Sequence, residues 1–140
     1  PVVIPQRITS PSMNWLTSTR LTPVMVIHSN HPNEIDHHVI EALQTLKREG
    51  VTLLNQTVLL AGINDNPEAL LALSKRLFAA GVLPYYLHML DKVSGAAHFE
   101  VTERRAKELI TILRNQLPGY LIPKLVREQS GELSKMPINN

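Results

Sequence analysis

The sequence predicts an α/β fold in which consecutive strand–helix units lie on a parallel sheet. Three observations predict it. Short apolar runs of strand length alternate with longer stretches whose apolar residues recur at helical spacing. Polar capping residues open the helical stretches, and Gly50 and Gly81 stand where two of them end. The connections are short, as βα units require. Two or three units are visible, fewer than a closed eight-fold barrel needs.

Residues 2–4 form a β-branched run between two prolines and are expected to be a strand, with Gln6, Arg7 and Thr9 beyond it. Residues 10–20 are weakly patterned, with Met13, Trp15 and Leu16 available to line a short helix. Residues 24–27 make the second strand. Asp36 can cap a helix running to about Glu49, with Val39, Ile40, Leu43 and Leu46 on one face. Residues 51–60 make the third strand, interrupted by Asn55, Gln56 and Thr57. Asn66 can cap the next helix, with Pro67 at its first position and Leu70, Leu73, Leu77 and Phe78 as its apolar stripe. Residues 84–90 make a fourth strand, with Asp91 just past it. Thr102 caps a helix that turns Ala106, Leu109, Ile110, Leu113 and Leu117 inward, and Pro118 and Gly119 stop it. Residues 120–126 are expected to form a last strand, placed at an edge by Pro123. Residues 128–140 are polar and expected to be irregular. The chain is expected to divide into βα units over 1–118 and a terminal segment over 119–140.

The 140 residues are one domain's worth and enough for a core. A formal charge of +2, with no basic block, gives no indication of nucleic acid. There is no cysteine, which rules out disulfides, thiolate metal sites and a cysteine nucleophile here, and fits a reducing, cytoplasmic setting. No apolar run approaches the roughly 18 residues a membrane span needs. The opening PVVIPQRIT has neither the basic region nor the cleavage site of a signal peptide and starts inside an expected strand, as a piece of a longer protein would.

The polar residues at the strand ends are the candidates for function. The run 24–27 opens into His28, Asn30, His31, Asn33 and Glu34, where α/β folds put their ligands, though an ordinary strand and loop has the same composition. His28 and His31 could bind zinc, with Asp36, His37 and His38 nearby; His37 and His38 could equally be solvated in a first helical turn. Asn55 and Gln56 need partners, from a loop or from a ligand, because an unpaired buried amide costs about 1–3 kcal/mol. Adjacent strands would put Gln56 and His28 in one pocket. Asp91 reads as a surface carboxylate or a site residue, and Lys135, in GELSKMP, as a solvated lysine by chemistry alone. Two further functions fit these residues: a stand-alone α/β ligand-binding or interaction module, and a metal-dependent hydrolase using His28 and His31.

Taken together, PVVIPQRIT, HSNHPNEI, GVTLLNQTVLLAGINDN, LPYYLHMLDKVSGAAHF and GELSKMP resemble, in order, the lysine 2,3-aminomutase family of radical enzymes. PYYLHxLDKVxGAAHF and GExSKxP look most like the bacterial branch that makes β-lysine for modifying elongation factor P. The resemblance implies the C-terminal part of an open parallel (β/α) barrel of the radical S-adenosylmethionine type. It also implies a [4Fe-4S] cluster, S-adenosylmethionine, pyridoxal phosphate and a lysine substrate, whose amino group moves from C2 to C3. Lys135 matches the family lysine that carries pyridoxal phosphate. Asp91 and Glu128 match the acidic positions that hold the substrate's distal ammonium; the family has aspartate at the second, so Glu128 is a departure. His28 and Gln56 match positions near S-adenosylmethionine. The family's CxxxCxxC motif is absent, so the cluster ligands are expected upstream of Pro1 and these 140 residues are expected to be inactive alone. Asn66 stands where some members have a zinc-binding cysteine, so no metal is expected. An open edge at the first strand is expected to favour self-association.

Overall fold

The alternation of strand and helix becomes a sheet with its strands in chain order. The computed structural model describes residues 6, 8–18, 20–90, 97–129 and 131–139. Helix α1 (Ser10–Thr17) leads into β1 (Val24–His28), α2 (His37–Arg48), β2 (Thr52–Leu59), α3 (Pro67–Ala79), β3 (Leu83–Met89), α4 (Glu103–Gln116), β4 (Lys124–Arg127) and β5 (Met136–Pro137). The sheet order is β1-β2-β3-β4-β5; the first three pairings are parallel and the last is antiparallel. No helix among the described residues is long and apolar enough to cross a membrane.

The helices start where side-chain acceptors meet their free N–H groups. Asp36 Oδ1 accepts from the Val39 N–H at 2.9 Å, Asn66 Oδ1 from Ala69 at 2.8 Å, and Thr102 Oγ1 from Arg105 at 3.2 Å. Gly81 ends α3 at φ +84, in the left-handed region, and an added Cβ would lie 2.6 Å from Lys47 Cδ.

Alternate strand residues take opposite faces, and among the described residues the helices cover one of them. Ile27 and Leu53 pack with Leu43 and Leu46 of α2 and Leu73 and Leu77 of α3. Leu59, Leu87 and Leu125 pack with Leu109, Ile110 and Leu113 of α4. The other face carries Val24, Val26, His28, Leu54, Gln56, Val58, Tyr86 and His88, and Val24 is 56% exposed. Strands in chain order, with their helices to one side, make a stretch of barrel wall rather than a doubly wound sheet.

The structure corrects several expectations. Phe78 is 49% exposed, because one step along a helix turns it off the Leu77 stripe; Ser74, one turn beyond Leu70, takes the buried place. Helix α1 ends at Thr17, and Trp15 points outward while Met13 is buried. Tyr120 lies in a 3-10 turn, Gly119–Leu121, so β4 starts only after Pro123. That strand is not an edge, because Met136 and Pro137 pair with it. The terminal segment is thus partly ordered by the sheet, and Ile138 N–H donates to the Leu125 carbonyl at 2.9 Å. The expected strand over 2–4, and the edge pairing that rests on it, lie outside the described residues. Among the described residues β1 has a strand partner on one side only.

Leu109→Ala is expected to lower the unfolding free energy by about 2–5 kcal/mol. Phe78→Ala should cost less, about 1 kcal/mol, since Phe78 is half exposed and its ring contact is with Tyr120, 5.6 Å between ring centres. Urea titration followed by circular dichroism reads both.

Candidate functional site

Pairing between β1 and β2 sets His28 directly opposite Gln56, on the face the helices leave open. Gln56 in turn faces Tyr86 across β2 and β3. The register between those strands shifts there: Asn55 pairs with Pro84 but Gln56 pairs with Tyr86, leaving Tyr85 as an extra residue. Neighbours on a regular strand point to opposite faces. The bulge brings Tyr85 and Tyr86 side by side instead, with ring centres 3.8 Å apart and hydroxyls 3.0 Å apart. His88, two residues on, reaches back so that its Nε2 lies 3.2 Å from Gln56 Oε1.

Lys135 reaches the same face from the far end of the chain. The antiparallel β4–β5 pairing sets the residue before β5 beside the residue after β4. Lys135 Nζ lies 3.5 Å from Glu128 Oε1 and 5.5 Å from the centre of the Tyr86 ring. The Lys135 side chain is 28% exposed and that of Glu128 64%, so this ion pair contributes about 1 kcal/mol at most. A hollow of about 250 Å³ opens beside it, lined by Glu128, Gln129, Glu132, Leu133, Ser134 and Lys135. A larger hollow of about 510 Å³ runs along β1, from Met25 to Ser29, to Glu34 and Asp36, and His28 borders it.

The side chains of Asn30, His31 and Glu34 in the HSNHPNE loop bond backbone groups. Glu34 Oε1 accepts from the N–H groups of Asn30 and His31, and His31 Nδ1 accepts from the Asn33 N–H at 3.2 Å. Asn30 Oδ1 accepts from the Val58 N–H at 2.8 Å. Asn55 and Gln56 separate: Asn55 turns to the helix side, where its amide bonds Ser29 N–H, the Ser29 carbonyl and Thr57 Oγ1. Asn64, fully buried, donates to the Asn30 and Val58 carbonyls and accepts from the Leu60 N–H. Among the described residues no three His, Asp or Glu groups come together to hold a metal ion. His37 and His38 are exposed and stack on each other. Asp91 lies outside the described residues.

Burial pushes the His88 imidazole below its usual value, the Lys135 ammonium and His28 push it further, and the Glu128 carboxylate partly opposes them. The hydrogen bond with Tyr85, then burial, raises the Tyr86 phenol. His88 and Tyr86 are the members of this site that sequence reasoning missed. The signal was there, since polar side chains at alternate positions of PYYLHML mark one face of a strand. The bulge that sets their register against Gln56 had no such signal.

Two outcomes follow. Asn64→Ala leaves one half-buried N–H and two half-buried carbonyls without this partner and should lower the unfolding free energy by about 2–3 kcal/mol in urea titration. His88 should titrate below 6.5 in ¹⁵N-resolved NMR. Its folded pKa is depressed, so the unfolded chain binds more protons just below 6.5. Stability contributed by neutral His88 is therefore present above that pH and lost as pH falls towards the folded value.

No family model matches the chain. It is 53% identical over 135 residues to the L-lysine 2,3-aminomutase of Haemophilus influenzae, covering 96% of this chain and 40% of that protein. It is 50% identical over 139 residues to that of Escherichia coli, covering 99% and 41%. With that of Clostridium subterminale the identity is 39%, covering 99% and 33%. The chain thus spans about two-fifths of the length of the first two of these relatives. A radical SAM methyltransferase from Sphaerobacter thermophilus superposes with a TM-score of 0.63 over 86% of this chain and 38% of that one. At 16% identity this likeness shows the fold alone: an α/β sheet, parallel but for β5, matching part of a radical SAM enzyme. With half of its residues shared with two of these enzymes along nearly all its length, the chain belongs to the lysine 2,3-aminomutase family.

Proposed function

We propose that this chain is the part of a lysine 2,3-aminomutase that carries the cofactor lysine and one end of the substrate pocket. The observation that supports this most is the meeting of Lys135, Glu128, Tyr86, His88, Gln56 and His28 on one open face of the sheet. The higher identity to the Haemophilus and Escherichia proteins than to the clostridial one supports the branch that makes β-lysine for elongation factor P, in a cytoplasmic setting.

The residues fit pyridoxal phosphate at Lys135. Its primary amine is partly shielded, lies at a hollow, and has an aromatic ring and a carboxylate within reach. When bound, that cofactor supplies a conjugated ring that carries the migrating nitrogen and spreads an unpaired electron. Lys135 anchors it through its side-chain nitrogen. Glu128, with Asp91, accepts hydrogen bonds from the substrate's distal ammonium and so reads both its charge and its distance. Glu128 already holds an ammonium, that of Lys135, and so has the chemistry for this role. His28 and Gln56 offer polar contacts to S-adenosylmethionine on the open face. The residues present do not fit an iron–sulfur cluster: such clusters are held by thiolates, and there is no cysteine. The 140 residues alone should therefore turn over no lysine. Self-association of an isolated chain through the open edge expected at residues 2–4 would show in light scattering.

In the full-length protein, borohydride reduction and peptide mapping should place the pyridoxyl mass on Lys135. Finding it on Lys92 or Lys124 would refute the assignment. Asp91→Ala should lower kcat/KM for lysine by about 10- to 100-fold, the loss of one charged hydrogen bond. Unchanged lysine kinetics would remove Asp91 from the site.

A further inference from the structure

His88 stands where the two halves of the open face meet. On one side its Nε2 lies 3.2 Å from Gln56 Oε1. On the other it packs edge-on against Tyr86, ring centres 5.6 Å apart, and the Lys135 ammonium sits over that same Tyr86 ring. A glutamine amide can present either its oxygen or its NH2 group to a ligand, and its neighbours decide which. Gln56 Oε1 can only accept, so the Nε2 facing it must carry the proton. Burial, with Lys135 and His28 close by, disfavours a second proton on the ring. With its oxygen turned to His88, Gln56 turns its NH2 group away from it. Among the described residues nothing accepts from that NH2, and His28 is the next residue across the sheet.

We infer that His88 is a positioning residue that locks the Gln56 amide with its NH2 group towards the ligand bound beside His28, so that this ligand must present a hydrogen-bond acceptor there. The inference rests on the proposed function for the identity of that ligand, S-adenosylmethionine, but not for the geometry. An acceptor-bearing molecule gains one hydrogen bond at this point only while the amide is held. A freely flipping amide would face it with oxygen half of the time and add the cost of ordering a side chain.

Two measurements on the full-length protein test it. In long-range ¹H–¹⁵N spectra of the ligand-free protein, His88 should show a protonated Nε2 and a bare Nδ1; a bare Nε2 overturns the inference whatever binds nearby. Calorimetric titration with S-adenosylmethionine then compares His88→Phe, which keeps a ring without the donor, with His88→Gln, which keeps an NH2 donor. His88→Phe should weaken binding about tenfold, and His88→Gln should recover to within about threefold of wild type. In a Gln56→Leu background His88→Phe should have no further effect, since it acts through Gln56. Equal binding by wild type and His88→Phe, equal weakness of both His88 variants, or full additivity with Gln56→Leu would each overturn the role. Wild-type protein that fails to bind S-adenosylmethionine yet shows the Nε2-protonated ring would instead refute the proposed ligand and leave the His88–Gln56 lock standing.

Discussion

The site depends on a pair of buried amides. Asn55 is 1% exposed and Asn64 fully buried, and between them they bond backbone groups of Ser29, Asn30, Val58 and Leu60. Each such group, left without a partner away from water, costs about 1–3 kcal/mol. The loop after β1 therefore has one low-energy path over the end of β2, and no buried side-chain nitrogen or oxygen among the described residues lacks a partner. Arg76 of α3 adds a further tie by donating to the Ile35 carbonyl. Because the loop is held, β1 cannot slide against β2, and His28 stays opposite Gln56. A slip of one residue would turn His28 to the helix side.

The second constraint is the bulge at Tyr85. Proline lacks the N–H a central strand needs, and Pro84 is tolerated because β4 pairs with β3 only from Tyr86 onward. The extra residue re-aims the strand so that Tyr86 and His88 share the open face with Gln56. The short antiparallel β5 completes the arrangement by returning Lys135 to the end of β4. The helices on one face supply the buried apolar core, and the polar side chains of the strands are left on the other.

That division was partly legible beforehand. The capped helices after Asp36, Asn66 and Thr102 and the runs that became β1, β2 and β3 read correctly, because caps and hydrophobic period are local properties. The errors fell where local pattern is weakest. Composition puts Phe78 on the apolar stripe although its angle turns it off, the run 120–126 includes Pro123 although the strand starts after it, and 128–140 has no apolar alternation to mark a two-residue strand. The HSNHPNE cluster was ambiguous for another reason. Asn, Glu and His serve backbone capping as well as ligand binding, and composition does not separate the two uses.

By itself the sequence determined the fold class, the order and caps of the central elements, and, through its ordered motifs, the family. It also determined that no thiolate chemistry resides in these residues. Only the tertiary structure decided which polar residues serve the backbone and which face outward. Asn55 and Gln56 are adjacent in sequence yet lie on opposite faces. Only it, too, brought His88 between Gln56 and Lys135, through a bulge and a two-residue antiparallel strand. The physical reason is that a side chain's face is set by strand register, and register is set by long-range hydrogen bonds that no local pattern records.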